Sequence, residues 1–471
     1  VPVSAAGCQG AAFTVTVTIN PEPVGIVNTI TRCSDDAVGI NITTTAGSVA
    51  ADNYTIAVNA NGLTLSGGTA SAGAGKAATE IADDIWRNTG LLPVDVVYTI
   101  TPISLAVCSG DPFTITVTVN PEPVGSNSNI TRCSDAAVAV NLTTSGFSVA
   151  ATDYDIAVNA NGLTQVGGTP SAGAGKAANE IADDVWRNTG PASVNVVYTV
   201  TPNSGVPCSG DPFTVTVTVD PEPILSPTLN GTVCSDNIVN LTLATNGTSV
   251  GASGYNILSR TVHPSLTPVA QVVVPNNGVS ATYLRNEIYR NVTNTPRTVS
   301  YDVVPVGSIN GCLGDVVTVT ITVDPEPVIA TTLDATVCSD DVVNLVLATN
   351  GTSIGAVDYN IVSRTVAGGL TPVTQVVVPN GNVAANYLQN EVYRNTTGGS
   401  LTVQYVVEAT GTINSCLGDQ RTITITVAPE PVISTTLDAS VCSDNIVNLV
   451  LNTNGTSVAA ANYNIVSRTV D

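Results

Sequence analysis

The chain repeats itself at a spacing of about one hundred residues, and this period constrains its fold more than any other feature. The tripeptides Pro-Glu-Pro and Cys-Ser-Asp each occur five times in one register. The Pro-Glu-Pro copies begin at Pro21, Pro121, Pro221, Pro325 and Pro429, so they lie 100, 100, 104 and 104 residues apart. This period is too long for one coil of a solenoid and is typical of one immunoglobulin-like sandwich. The sequence therefore predicts a row of separately folded modules.

The period predicts four whole modules and two partial ones. Residues 1–20 are expected to be the C-terminal strand of a preceding module, and residues 429–471 the N-terminal part of a following module. Modules 1 and 2 share Gly-Ala-Gly-Lys and Trp-Arg-Asn, whereas modules 3 and 4 carry Gln-Val-Val-Val-Pro and Tyr-Arg-Asn. Two subtypes of one module are expected. The whole modules are placed at 21–120, 121–220, 221–324 and 325–428.

Apolar residues within module 1 follow the pattern of β-strands. Phe113–Val119 alternates strictly between apolar residues and threonine, as in a strand with one buried face. The segment 102–112 is predicted to be a hairpin loop. Residues 77–86 have helical spacing, which predicts a short helix or helical turn whose Trp86 fills the core. The predicted fold is all-β, an array of Ig-like sandwiches each with one short helical segment. Three further strands are predicted at Asp95–Thr101, Tyr54–Val58 and Val38–Thr43.

Charge excludes several functions. The chain has 14 basic and 36 acidic residues, a net charge of −22. Nucleic acids and anionic membranes both require clustered Lys and Arg, so neither is an expected partner. No stretch of 18 apolar residues exists to insert into a membrane. With His263 as the only histidine, no Ser–His–Asp triad recurs among the modules, and no enzyme is predicted.

Pro-Glu-Pro is expected to be a short, stiff linker at each junction. Proline fixes its own φ angle and pushes the preceding residue toward an extended conformation, so neighbouring modules are expected to be held end to end. The linker prolines are Pro21, Pro23, Pro121, Pro123, Pro221, Pro223, Pro325, Pro327, Pro429 and Pro431.

The segment 196–224, VVYTVTPNSGVPCSGDPFTVTVTVDPEPI, resembles the closing part of the PKD-like, Ig-like repeats of large Bacteroidota cell-surface proteins, including gliding-motility adhesins. The Cys-Ser-Asp tripeptide with the apolar segment after it resembles their start. The resemblance implies an extracellular or cell-surface protein that acts as a scaffold, adhesin or filament. Its expected partners are other copies of itself, neighbouring modules, or an unidentified surface or glycan.

Ten cysteines, two per period, suit an oxidising compartment and disulfide bonds. The resemblance implies one pair per module, and pairing across a single linker is the alternative. Pairing within a module requires the two cysteines, expected at opposite poles of a sandwich, to come within about 6 Å between Cα atoms. The pairs within modules are Cys33–Cys108, Cys133–Cys208, Cys234–Cys312 and Cys338–Cys416. The alternative pairs are Cys8–Cys33, Cys108–Cys133, Cys208–Cys234, Cys312–Cys338 and Cys416–Cys442.

Acidic residues near the junctions raise a second possibility, an array of calcium- or carbohydrate-binding modules attached to an enzyme or adhesin tip. Calcium requires six to eight oxygen ligands, often from several loops. Glu22, Asp35 and Asp36 are the candidate ligands at the first junction. Formation of turns by these aspartates is the alternative explanation. No other cofactor is expected.

Overall fold

The computed structural model describes residues 1–206 and 208–470 and has an all-β fold. The chain forms two compact units, Val1–Pro221 and Glu222–Asp471. Each unit contains two five-stranded sheets, and each of these sheets is accompanied by a two-stranded sheet. We number the modules 1 to 4 after the five-stranded sheets in chain order. Among the described residues, no helix has the length and apolar character needed to cross a membrane.

Unit 1 contains modules 1 and 2. The strands of module 1 are β1 (Asn28–Cys33), β2 (Ala51–Asn59), β3 (Thr64–Gly67), β4 (Gly73–Lys76), β5 (Ile85–Arg87), β6 (Val94–Ser104) and β7 (Phe113–Asn120). Module 2 contains β8 (Ser128–Cys133), β9 (Asp153–Asn159), β10 (Thr164–Gly167), β11 (Gly173–Lys176), a 3-10 helix (Glu180–Asp183), β12 (Val185–Arg187), β13 (Val194–Asn203) and β14 (Phe213–Asp220).

Unit 2 contains modules 3 and 4. Module 3 comprises β15 (Gly231–Cys234), β16 (Ala252–Val262), β17 (Thr267–Ala270), β18 (Asn276–Val279), β19 (Ile288–Arg290), β20 (Arg297–Gly307) and β21 (Val317–Asp324). Module 4 comprises a 3-10 helix (Thr331–Leu333), β22 (Ala335–Cys338), β23 (Ala356–Val366), β24 (Leu370–Thr374), β25 (Asn380–Val383), β26 (Val392–Asn395), β27 (Leu401–Gly411) and β28 (Arg421–Ala428).

The large sheet of each module places its first strand beside its last. In module 1 the order is β1-β7-β6-β2-β4, and the other three modules repeat it. β1 runs parallel to β7, with Cys33 opposite Asn120, whereas β6 and β7 form an antiparallel hairpin. Cys33 therefore lies at the end of the module where β7 finishes. The hairpin loop that carries Cys108 lies at the other end, about 25 Å away along eight strand residues.

The core of each module lies between the large sheet and a smaller second layer. Phe113, Ile115, Val117 and Val119 of β7 are all buried, as their alternation with threonine predicts. They pack with residues of β2 and β6, whose strand predictions are also confirmed, and with Trp86 of the second layer. Trp86 is 8% exposed and occupies the core as expected.

The strand predicted at Val38–Thr43 is wrong. Val38 and Ile42 are buried as the alternation indicates, but the segment between them forms no strand. Gly39 has a φ of 67°, a left-handed conformation that interrupts a strand. The amides of Val38 and Ile42 instead donate to Asp84 O at 2.9 Å and to Ala78 O at 2.8 Å. The segment thus runs beside the turns at 77–84 and is hydrogen-bonded to them.

The segment predicted to be helical contains consecutive turns in modules 1, 3 and 4 and a single-turn 3-10 helix in module 2. Its hydrogen bonds join residues three apart, as from Ala82 N to Thr79 O at 3.0 Å. The helical spacing did identify its buried face, since Ile81 is fully buried. The segment is too short to form the i to i−4 hydrogen bonds of an α-helix.

A carboxylate is buried in the core of every module, and the two subtypes satisfy it differently. In module 2, Asp184 accepts hydrogen bonds from Ser171 Oγ at 2.8 Å, Tyr198 OH at 2.7 Å and Gln165 Nε2 at 2.8 Å. In module 3, Glu287 instead forms an ion pair with Arg260 at 2.5 Å and accepts a hydrogen bond from Tyr289 OH at 2.7 Å. Module 4 repeats this arrangement with Glu391 and Arg364 at 2.6 Å.

Module 1 lacks one of these hydrogen bonds. Asp84 accepts from Ser71 Oγ and Tyr98 OH through Oδ2, both at 2.7 Å, but its Oδ1 has no partner. Leu65 stands where module 2 has Gln165, since each lies opposite the tryptophan of its module. Burial raises the pKa of the Asp84 carboxyl. A buried carboxylate oxygen without a donor lowers the stability of the folded state.

The Leu65→Gln variant is expected to stabilise module 1 by about 1–2 kcal/mol, because it supplies the missing donor to Asp84. The reciprocal change, Gln165→Leu, is expected to destabilise module 2 by a similar amount. Hydrogen exchange of β6 and β13 in the full chain measures each module separately. Slower exchange in β6 of L65Q with unchanged exchange in its β13 is the expected result. Equal rates in L65Q and the parent chain would show that the unpaired oxygen has no energetic effect.

Candidate functional site at the module junctions

The Trp-Arg-Asn tripeptide links the core of module 1 to its junction with module 2. Trp86 Nε1 donates to the Tyr98 hydroxyl at 2.7 Å inside the core. Asn88 is 2% exposed, and its side-chain amide donates to Val119 O at 2.8 Å and to Leu92 O at 3.0 Å. Arg87 lies between them on β5, and alternation along the strand turns its side chain away from the core.

The Pro-Glu-Pro segment between modules 1 and 2 is buried rather than exposed. Glu122 N donates to Asn88 O at 2.9 Å, and Glu122 is 3% exposed. Unit 2 repeats the contact, with Glu326 N donating to Asn291 O at 2.9 Å. The linker is therefore attached to the module that precedes it by the asparagine of the Trp-Arg-Asn or Tyr-Arg-Asn tripeptide.

The closing hairpin of module 2 contacts the same linker through the sequence Cys208-Ser-Gly-Asp211. A Cβ atom on Gly210 would lie 1.9 Å from Pro123 O, so only glycine allows this approach. Gly418 has the same relation to Pro327 O, at 2.0 Å. The hairpin is thereby held against the linker, and its cysteine and aspartate reach the preceding module.

Disulfides join successive modules within each unit. Cys33 of module 1 is bonded to Cys208 of module 2, and Cys234 of module 3 is bonded to Cys416 of module 4, with Cα atoms 5.4 Å apart in both. The first cysteine of one module thus pairs with the second cysteine of the next. Cys133 and Cys312 are also disulfide-bonded. Cys8, Cys108, Cys338 and Cys442 carry no disulfide.

Both predicted pairings are therefore wrong. The bonds predicted within modules do not form: Cys33–Cys108, Cys133–Cys208, Cys234–Cys312 and Cys338–Cys416. The alternative bonds across a single linker do not form either: Cys8–Cys33, Cys108–Cys133, Cys208–Cys234, Cys312–Cys338 and Cys416–Cys442.

The direction of β1 explains why Cys33 pairs with Cys208 of the next module. The parallel pairing of β1 with β7 places Cys33 at the end of module 1 next to the linker 121–123, far from the Cys108 loop. The hairpin packed on that linker belongs to module 2 and carries Cys208. A disulfide requires Cα atoms within about 7 Å, so Cys208 is within reach of Cys33 and Cys108 is not.

An arginine and three carboxylates lie beside each of these disulfides. In unit 1, Arg87 is 2.7 Å from Asp35, 3.7 Å from Glu122 and 3.0 Å from Asp211. Asp35 follows the opening strand of module 1, Glu122 is the linker residue, and Asp211 belongs to the hairpin of module 2. Module 1, the linker and module 2 thus each contribute one carboxylate to the contacts of Arg87.

Unit 2 contains the same group at its own junction. Arg290 forms ion pairs with Asp236, Glu326 and Asp419, and its distance to Glu326 is 2.8 Å. The repetition shows that the group belongs to the junction and not to one module subtype, since unit 1 joins Trp-Arg-Asn modules and unit 2 joins Tyr-Arg-Asn modules.

The pKa values of Glu122 and Asp35 are shifted in opposite directions. Burial raises the pKa of Glu122 to about 7, and Asp35 and Asp211 reinforce the effect while Arg87 opposes it. For Asp35, burial acts upward on the pKa, but hydrogen bonds from Arg87 and Ser66 outweigh it, so the pKa lies below its usual range. Asp35 is thus the permanent counterion of Arg87, and Glu122 is the group that titrates near neutrality.

The predicted calcium ligands do not come together. Glu22 and Asp36 are exposed, and only Asp35 lies in an acidic group, where the ligand atoms of Asp35, Glu122 and Asp211 are within 4.8 Å of one another. Arg87 contacts all three carboxylates. Its guanidinium supplies one positive charge to this group of three carboxylates.

Comparisons with known proteins address the family and the fold. Two segments, 30–123 and 130–223, match the family model described as a PKD-like domain, in two tandem copies. No curated protein sequence matches the chain.

Solved structures similar to the chain include several cadherin ectodomains. Extracellular cadherin domains 1–4 of protocadherin gamma B7 have 10% identity and a TM-score of 0.23, covering 86% of this chain and 100% of that chain. The human desmocollin-1 ectodomain has 10% identity and a TM-score of 0.21, covering 93% and 86%. Drosophila N-cadherin EC1–4 has 12% identity and a TM-score of 0.19, covering 86% and 99%. Scores this low support no functional argument.

Sequence reasoning missed the arginine cluster and the hairpin aspartate. Their signal was present, because arginine occupies the middle of the Trp-Arg-Asn and Tyr-Arg-Asn tripeptides in all four modules. Asp211 and Asp419 likewise each follow a Cys-x-Gly tripeptide. The repetition showed that these positions matter, whereas the contacts between modules depend on the direction of the strands.

The Gly210→Ala variant is expected to open the junction in unit 1, because its Cβ atom cannot coexist with Pro123 O. The expected loss is about 1–3 kcal/mol or more, as for overpacked sites. Gly146→Ala is the matched control, since a Cβ atom there meets nothing within 4 Å. Mass spectrometry of the Cys33–Cys208 peptide after oxidative refolding measures the effect. An undiminished yield of this peptide from G210A would contradict the proposed contact.

The unit 1 junction is expected to be more stable at pH 5.5 than at pH 8. The pKa of Glu122 is raised in the folded state to about 7, so the stabilisation from protonated Glu122 is complete at low pH and disappears as the pH rises through about 7. Hydrogen-exchange protection of the Glu122 amide, corrected for intrinsic rates, is the measurement. The Glu122→Gln variant is expected to lose this dependence, and an unchanged pH profile in E122Q would assign the effect to other groups.

Proposed function

We propose that this chain is a repetitive structural or adhesive segment of a secreted cell-surface protein, in which modules 21–120, 121–220, 221–324 and 325–428 follow one another as an extended rod or filament. The observation that carries the proposal is the disulfide between successive modules, Cys33–Cys208 and Cys234–Cys416. A covalent bond across a junction limits rotation of one module against the next, which serves a protein whose task is to keep a distance or a shape.

The polar chemistry of the junctions supports a structural role. Arg87 of module 1 forms ion pairs with Asp35 of its own module, with Glu122 of the linker and with Asp211 of module 2. The backbone carbonyl of Asn88 accepts a hydrogen bond from Glu122 N of the linker. The Arg87–Asp211 ion pair and the close approach of Gly210 to Pro123 O are the contacts that join module 2 to the linker and to module 1. Adhesion, if it occurs, is proposed to use surfaces away from the junctions.

The proposed location is extracellular, at the cell surface. Disulfides form and persist in oxidising compartments and are rare in the cytosol. A net charge of −22 also suits a solvated surface that repels its neighbours. The resemblance to repeats of Bacteroidota adhesins, together with the two PKD-like domain matches, leads us to propose gliding-motility adhesins as the nearest functional class.

Small-angle X-ray scattering of the oxidised chain tests the rod. A compact globule of 471 residues has a radius of gyration of about 23 Å, and a row of four modules is expected to give at least twice that value. Electron microscopy is expected to show elongated particles whose modules keep a constant spacing. Compact particles with a radius of gyration near 23 Å would reject the rod.

A further inference from the structure

The two described disulfides bypass most of the chain. Cys33–Cys208 encloses 175 residues and Cys234–Cys416 encloses 182, so together they span 357 residues. From Cys33 to Cys416, the covalent route crosses the first disulfide, follows the backbone from Cys208 to Cys234, and crosses the second. The bodies of modules 1 to 4 lie almost entirely outside this route.

We propose that the array is a tension-bearing cable in which the disulfides carry load past most of each module, so that force cannot extend the residues that the two disulfides enclose. This inference deepens the proposed structural role and rests on it. A folded module is held by non-covalent interactions alone, and under sustained force its lifetime is governed by its unfolding rate. A disulfide withstands such force because breaking it requires a covalent bond to be cut or exchanged.

The backbone that remains in the load route has little slack. The segment from Cys208 to Cys234 contains β14, the Pro-Glu-Pro linker and β15. These strands are already extended, and a segment of about 26 residues spans at most about 90 Å when fully stretched. β14 is also paired on both sides, with β13 antiparallel and with β8 parallel. Load along β14 must therefore shear two rows of backbone hydrogen bonds before any residue is released.

The disulfide bonds of Cys133 and Cys312 cannot lengthen the covalent route between Cys33 and Cys416. Cys133 and Cys312 are disulfide-bonded, and any additional cross-link can only shorten the covalent route between two points of a chain or leave it unchanged. Cys108 occupies the position in module 1 that Cys208 has in module 2, but it carries no disulfide. Cys208 thus lies in the load route, and the equivalent Cys108 lies outside it.

Single-molecule force spectroscopy on the full chain tests the proposal. The chain is held at its two ends by handles that do not use cysteine, and is stretched first oxidised and then after complete reduction with a phosphine. Reduction is expected to add the 357 bypassed residues to the maximal extension, which is about 1,200 Å at roughly 3.5 Å per residue. An oxidised chain that reaches the extension of the reduced chain would overturn the proposal.

Variants assign the effect to one bond. The C33S/C208S double variant is expected to extend further than the oxidised parent chain, by up to the 175 residues that this bond encloses, whereas C108S is expected to match the parent. Equal extension of C33S/C208S and the parent, or an increase in C108S, would contradict the assigned route. Misfolding of a variant does not affect the parent comparison, in which reduction leaves the sequence unchanged. A rod by scattering combined with a freely extensible oxidised chain would reject the cable while retaining the structural array.

Discussion

The parallel pairing of the first strand of each module with its last determines how one module meets the next. Because β1 runs alongside β7, the residues that end β1 and those that end β7 lie at the same pole, where the chain continues into the linker. Cys33 and Asp35 are thereby presented to the following module instead of to their own closing hairpin. Had the first strand run antiparallel to the last, Cys33 would lie near Cys108, and the disulfide would remain within one module.

The Trp-Arg-Asn and Tyr-Arg-Asn tripeptides connect the interior of a module to this pole. Alternation along a strand sends the aromatic residue into the core and the arginine to the opposite face. The backbone carbonyl of the asparagine after them accepts a hydrogen bond from the linker glutamate. A change in the core around Trp86 is thus transmitted to Arg87 and Asn88 through one short strand. Stability of a module and rigidity of its junction are therefore expected to be coupled.

The alternation of apolar residues was sufficient to predict β7, β6 and β2, because residues of a strand with one buried face alternate between the core and the solvent. It failed at Val38–Thr43, where the same alternation continues but Gly39 adopts a left-handed conformation. In the other modules the equivalent positions hold Ala139, Asn240 and Asn344, also with positive φ, and none of these residues marks a turn as clearly as glycine does. The sequence spacing of the cysteines showed that disulfides form. Their partners depended on the direction of β1, which residue patterns do not encode.

The placement of the few basic residues explains how so acidic a chain folds. Only 14 Lys and Arg residues oppose 36 Asp and Glu residues, and several arginines lie where carboxylates are removed from water. Arg260 and Arg364 pair with the buried glutamates of modules 3 and 4, and Arg87 and Arg290 form ion pairs with the linker glutamates. Charges attract strongly where the effective dielectric constant is low and only weakly at an exposed surface. Cations are therefore used where an unpaired carboxylate would be most costly, and the excess acidic residues remain solvated. A surface left negative in this way repels neighbouring chains.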